Sequence, residues 1–247
     1  MTLCIQKLVE ENTLERLTQI ATDCGISGTG RKLEIAERLE SHFKSFSEVP
    51  ESIISLDLGY KNLAFCHVDK NRRILFWERI DLDLPEFHPS VSAPYVRYFV
   101  KKRLEPLMKY PVGAVVVEKQ RHRSGGRSNV FETTVRVNTV EAMLWSELYA
   151  LKQKFKRLNL AAMNRITVDN RWREEMEYPQ SSYAKKRASA VMVWNWLVED
   201  KVVQCSDEIK DIFFEDSKKD DMADSLTQAL TWYECIERTL QYKKQYK

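Results

Sequence analysis

Apolar residues recur in two rhythms along the chain, and the rhythm changes near residue 52. Before that point Leu14, Leu17, Ile20 and Ala21 fall at helical spacing, as do Leu33, Ile35 and Leu39. Thr13 precedes the first run and Glu15 follows in its first turn, which suits a capped helix N-terminus. Gly25, Gly28 and Gly30 separate the two runs. The pattern predicts a helical hairpin over residues 1–43, near the size at which independent folding becomes marginal. "KSFSEVPES" reads as a linker, 44–51, leaving 52–247 as the main domain.

From residue 52 the apolar runs shorten and become β-branched. Residues 52–58, 62–69 and 72–82 predict three strands with short connections, as in an antiparallel meander. "APYVRYFVKKRLEPLMKY" predicts a helix with Pro94 in its first turn and Pro106 disturbing its end. "VGAVVVE", 112–118, predicts a strand buried on both faces. A long helix over 131–155, a strand at "NRITVDNRW", a helix over 182–200 and an amphipathic helix over 220–240 complete the pattern. The order βββαβαβα, closed by a further helix, predicts an α/β fold: a mixed five-stranded sheet flanked by helices.

Composition adds exclusions. Hydrophobic residues make up 43% of the chain, enough for a core, and the net charge of +3 says little about partners. No apolar run reaches the ~18 residues of a membrane span. The five cysteines are odd in number and scattered without a CxxC pair, against a disulfide framework or zinc ribbon and for a reducing compartment. The N-terminus does not read as a cleavable targeting peptide. No P-loop, GxSxG or Cys/His pairing is present, so neither a nucleotide cofactor nor a side-chain nucleophile is expected.

The chemistry concentrates in carboxylates. Asp57 ends the first strand and Glu118 ends the fourth, and in open α/β sheets ligand sites form beyond strand ends. Asp221 and Asp224 stand three apart at the start of the last helix and share a face. Asp57 alone reads equally as a turn residue before Gly59, and Asp220 is an alternative to Asp221. Gathered in one cleft, four carboxylates require a cation, and oxygen-only ligands favour Mg²⁺, with Mn²⁺ as substitute, one or two ions per site. Two such ions suit phosphodiester hydrolysis.

"SLDLGYKNLAF", "VVVEKQRHR" and "DDMADSLTQAL" resemble the RNase H-like nuclease superfamily. Within it they resemble the RuvC-type Holliday-junction resolvases, most closely the fungal mitochondrial cruciform-cutting group. Gly25-Ile26, Gly30, Lys32, Leu33 and Arg38-Leu39 resemble a SAP motif, a helical DNA-binding module. The resemblance implies an RNase H-like fold, with Asp57, Glu118, Asp221 and Asp224 as catalytic metal ligands. It also implies a mitochondrial homodimer that nicks a four-way DNA junction symmetrically, leaving 5′-phosphate and 3′-hydroxyl ends.

Phosphate contacts are expected from Lys32, from Lys119, Gln120, Arg121, Arg123 and Arg127 beside Glu118, and from Lys185, Lys186 and Arg187. The apolar surface of the 133–155 helix, with Val140, Met143, Leu144, Leu148 and Leu151 beside Trp145 and Tyr149, looks wide enough to include part of a dimer interface. Rival readings are a nuclease acting on RNA–DNA hybrids and a non-catalytic junction-binding protein. An actin-like ATP-binding fold would need a second DxG loop, which does not follow.

Overall fold

In the computed structural model the described residues are 2–59, 61–82, 88–120, 128–176 and 182–246, without the side chains of 128–131, 182, 183, 185 and 186. Five strands, β1 (Ser52–Leu58), β2 (Asn62–Asp69), β3 (Ile74–Asp81), β4 (Val112–Lys119) and β5 (Asn159–Asn164), form one sheet in the order β3-β2-β1-β4-β5. β1 pairs antiparallel with β2 and parallel with β4, and β5 runs parallel to β4. This is the mixed α/β sheet expected. β1 lies at its centre, where Ile53, Ile54, Ser55 and Leu56 are fully buried. Gly59 closes the β1–β2 hairpin: its N–H donates to the Asn62 carbonyl at 2.8 Å, and a Cβ there would stand 2.9 Å from the same oxygen.

Helices cover both faces. α4 (Pro89–Phe99) and α5 (Ser128–Lys154) pack Val96, Phe99, Val140, Leu144, Leu148 and Leu151 against Leu56, Phe65, Val115 and Val117. That contact consumes most of the α5 stripe that looked wide enough for a partner; Tyr149 remains exposed. α6 (Arg165–Trp172), α7 (Ser182–Glu199), α8 (Asp207–Glu215) and α9 (Lys219–Gln245) follow. Phe213 of α8 stacks on Trp77 of β3 at 4.9 Å. The Trp77 indole N–H reaches the Met222 carbonyl and Ser225 Oγ, both at 3.1 Å, which ties α9 to the sheet.

Several elements differ from the sequence pattern. "NRITVDNRW" is a helix, and the last strand is the preceding "NLAAMN". The β-branched run Ile166-Thr167-Val168 favours a strand, yet the residues that bury are Val168 and Trp172, four apart, while Ile166 is 59% exposed. A burial period of four belongs to a helix, and tertiary packing overrode propensity. Pro89, not Pro94, occupies the first turn of α4, and Pro94 lies inside it. Beyond Phe99 the helix widens into a π turn, Val100–Leu104, and then tightens into a 3₁₀ turn, Glu105–Lys109, that accommodates Pro106. Helix α8 was not in the predicted pattern.

The chain divides into two compact units, Pro50–Ala229 and a second made of Met1–Val49 with Leu230–Lys247. In the second, α1 (Leu3–Glu11), absent from the predicted pattern, joins α2 (Leu14–Asp23) and α3 (Lys32–Ser45). Leu8, Leu17, Ile20, Ile35, Leu39 and Phe43 form its core together with Tyr246. Leu14 and Leu33, which fit the helical stripes, are exposed. Thr13 Oγ1 accepts from the Arg16 N–H at 3.1 Å, the expected cap. Gly25 and Gly30 adopt φ of 73° and 120° in the turn, and Arg38 donates to the Ser27 and Thr29 carbonyls there. From the far end, Tyr242 Oη donates to Asp23 at 2.7 Å and Tyr246 Oη to Asn12 at 3.0 Å.

Candidate active site

The three parallel strands end at one edge of the sheet, and the acidic residues sit there. Leu56 pairs with Val117, so Asp57 and Glu118 are the next residues on neighbouring strands. Glu118 in turn pairs with Met163 of β5. The third contribution arrives on α9, whose register is set by one side chain that the sequence did not single out. Gln228 is buried, and its Nε2 donates to Ser55 Oγ at 2.9 Å and to the Leu56 carbonyl at 3.1 Å. Asp224 stands one turn before Gln228, and Asp221 one turn before that, on the same face. A second clamp holds the approach to α9. Asp216 takes the Arg79 Nε–H on both oxygens, at 3.0 and 3.1 Å, and accepts from the Lys218 N–H at 2.6 Å.

Electrostatics shows that the carboxylates share one space. Asp57 opens partly to solvent, but the surrounding protein desolvates it. Burial first, then the charges of Glu118 and Asp224 and, less strongly, Asp221, raise its carboxyl well above the usual carboxylate range. The guanidinium of Arg165 opposes that shift. Arg165 is the other residue the sequence did not reveal. Its Nη1 lies 3.1 Å from Glu118 Oε2 and 2.7 Å from Asp224 Oδ2, and its Nε lies 3.1 Å from Asp169 Oδ1. Ser189 Oγ donates to the other Asp224 oxygen at 3.3 Å.

The donor set is oxygen throughout, and one guanidinium does not balance the charges that crowd Asp57, so the residues suit a hard divalent cation. Among the described residues no group of three or more His, Cys, Asp or Glu side chains is arranged to hold such an ion. Gln120 donates to the Leu58 carbonyl at 3.1 Å, which braces the turn just beyond Asp57. Lys119, at the end of β4, and Arg187, on α7, are exposed, while Lys32, the first residue of α3, is half-buried. Arg121, Arg123 and Arg127, with the side chains of Lys185 and Lys186, lie outside the described residues. No described helix is long and apolar enough to cross a membrane.

Comparison with known proteins agrees with the fold. Cruciform cutting endonuclease 1, mitochondrial, of Schizosaccharomyces pombe is 28% identical over 242 residues, covering 89% of this chain and 90% of that protein. The crystal structure of the yeast mitochondrial Holliday junction resolvase Ydc2 superposes with a TM-score of 0.67 at 24% identity, covering 95% of this chain and 99% of that one. The family model described as mitochondrial resolvase Ydc2 / RNA splicing MRS1 matches residues 53–242. The chain belongs to that family.

Proposed function

We propose that this protein is a mitochondrial junction-resolving endodeoxyribonuclease that cuts four-way DNA by paired, symmetric, metal-dependent nicks. The observation that carries the reading is the meeting of Asp57, Glu118 and Asp224, with Asp221 close behind, at the ends of β1, β4 and the start of α9. Those four residues are assigned as the ligands of Mg²⁺, with Mn²⁺ as substitute. A divalent cation held there supplies Lewis acidity toward the scissile phosphate and the attacking water, so that the nick leaves 5′-phosphate and 3′-hydroxyl ends.

The chain's own residues do the positioning. Gln228 and the Trp77 clamp hold the acidic end of α9 over β1 and β4. Gln120 braces the backbone that follows Asp57. Lys119, with the basic run that follows it, neutralises phosphates next to the cut, and the helical unit of residues 1–43 adds contacts through Lys32. A homodimer presents two such sites to the two strands that symmetric resolution requires. Sedimentation of the free protein as one chain at micromolar concentration would remove the dimer from this account.

The deciding measurement is cleavage of a four-way junction, an RNA–DNA hybrid and a plain duplex by the wild type and Asp57→Asn, with Mg²⁺ or with EDTA. The expected result is junction nicking by the wild type in Mg²⁺ alone. Asp57→Asn should lose at least about a hundredfold in rate, as removal of a central electrostatic group does, while still binding the junction. Preferential cutting of the hybrid, or binding without any cutting by the wild type, would overturn the assignment. The second outcome would favour a purely nucleic-acid-binding role.

A further inference from the structure

Arg165 occupies an unusual position for a cation. It is the first residue of α6, where the helix dipole disfavours positive charge. Its side chain is only 22% exposed, so the guanidinium has also given up much of its hydration. What holds it there is a ring of carboxylates: Glu118 and Asp224 on Nη1 and Asp169 on Nε. Burial works against its charge, and the charges of Asp224, Glu118 and Asp57 outweigh burial. Arginine cannot relieve the conflict by losing its proton.

Two of those contacts use oxygens that a divalent cation also needs. Glu118 Oε2 and Asp224 Oδ2 converge on one guanidinium nitrogen. With Ser189 on Asp224 Oδ1, both oxygens of Asp224 already have partners. A metal ion ligated by Glu118 Oε2 and Asp224 Oδ2 would compete with Arg165 Nη1 for the same two oxygens. Asp169 lies four residues along the same helix and bonds Nε, so it keeps the guanidinium at the mouth of the site after Nη1 lets go.

We infer that Arg165 is a built-in counter-cation, a positioning residue that holds Glu118 and Asp224 in place of the metal and competes with it for their oxygens. The inference rests on the metal-dependent reading of this cleft and adds how metal loading is regulated. The free enzyme keeps its acidic residues gathered without metal, and loading is set back by the cost of displacing the guanidinium. A DNA phosphate entering the cleft offers the guanidinium another partner, so substrate and metal assist one another's binding. That coupling limits metal-loaded sites to those already engaged with DNA.

The test is Mn²⁺ binding without DNA, followed by the paramagnetic signal of free Mn²⁺, for the wild type, Arg165→Gln and Arg165→Lys. Circular dichroism serves as the folding check. Arg165→Gln is expected to bind Mn²⁺ about tenfold more tightly than the wild type, with Arg165→Lys between them, since a competing charge on the ligand oxygens has been removed or weakened. An uncleavable junction should raise the Mn²⁺ affinity of the wild type more than that of Arg165→Gln. A merely structural arginine gives the opposite sign: its loss slackens the ligands and weakens Mn²⁺ binding. If either folded variant binds Mn²⁺ no more tightly than the wild type, the inference is wrong. If the wild type itself binds no Mn²⁺, the metal assignment of the cleft falls, and the inference falls with it.

Discussion

His67 shows how this protein uses a titratable residue for structure alone. It lies fully buried in β2, bonded through Nε2 to Ser52 Oγ at 2.9 Å, and burial lowers its pKa to about 4. His42, bonded to Thr239 Oγ1 at 3.1 Å, is lowered to about 4 for the same reason. A histidine lowered on folding binds its proton first in the unfolded chain. Its neutral form is therefore fully accommodated above the unfolded value, and stability drains away as pH falls from about 6.5 toward 4. For His67 that amounts to roughly 3 kcal/mol over the window. Urea denaturation at successive pH values should show the loss, and His67→Gln, which can keep the bond to Ser52, should remove the His67 share and leave that of His42. Asp57 works in the opposite sense. Its raised carboxyl is costly when ionised, so in EDTA at neutral pH Asp57→Asn should melt at a higher temperature than the wild type, the mark of a residue retained for chemistry. A turn residue would give a lower melting temperature instead.

At the scale of elements, α9 decides whether the acidic residues meet. Gln228 reaches back to Ser55 and Leu56, 173 and 172 residues earlier, and sets which turn of the helix faces the strand ends. Gln228→Leu keeps the size and the helix but strands the Ser55 hydroxyl, a loss of about 1–3 kcal/mol. Junction cleavage should fall more steeply than stability, because a shift of about 1 Å in a reacting group costs on the order of a hundredfold. Single-turnover rates beside thermal melts check the contrast.

This element also shows where the sequence stops speaking. Asp57 and Glu118 were legible because each carboxylate breaks an apolar run at a strand end, and Asp221 and Asp224 because their spacing puts them on one face. Gln228 looked like an unremarkable polar position in an amphipathic helix. Arg165 lay in a β-branched stretch that reads as a strand, so the turn that carries it into the cleft was invisible. Both act through partners far away in sequence, and local pattern contains no information on such pairs. The central strands were legible to within a residue or two because most of their positions are apolar and buried. The edge strand β5, with only Met163 fully buried, had no such signal.

On the scale of the whole molecule, the question is what the second unit adds. Its glycine turn, with Lys32 opening α3, is the part of this unit that we propose contacts DNA. Lys32→Ala should weaken junction binding a few-fold and lower the salt slope by about one, with no change in the rate of cleavage once the junction is bound. Titrations at several salt concentrations, paired with single-turnover cleavage, separate the two effects. Unaltered binding would leave these helices with a packing role only.

The helix α9 belongs to both units, passing from one to the other between Ala229 and Leu230. That continuity has a consequence for how the protein comes into being. Helices α1 to α3 are made well before α9, yet their core waits for Tyr242 and Tyr246. At ordinary synthesis rates of about 5–20 residues per second, the wait is on the order of 10 to 40 s. Throughout it, the apolar faces of Leu17, Ile20, Ile35 and Leu39 lack their final cover. That uncovered apolar surface is a place for a chaperone to bind, and α9 is the helix that covers it.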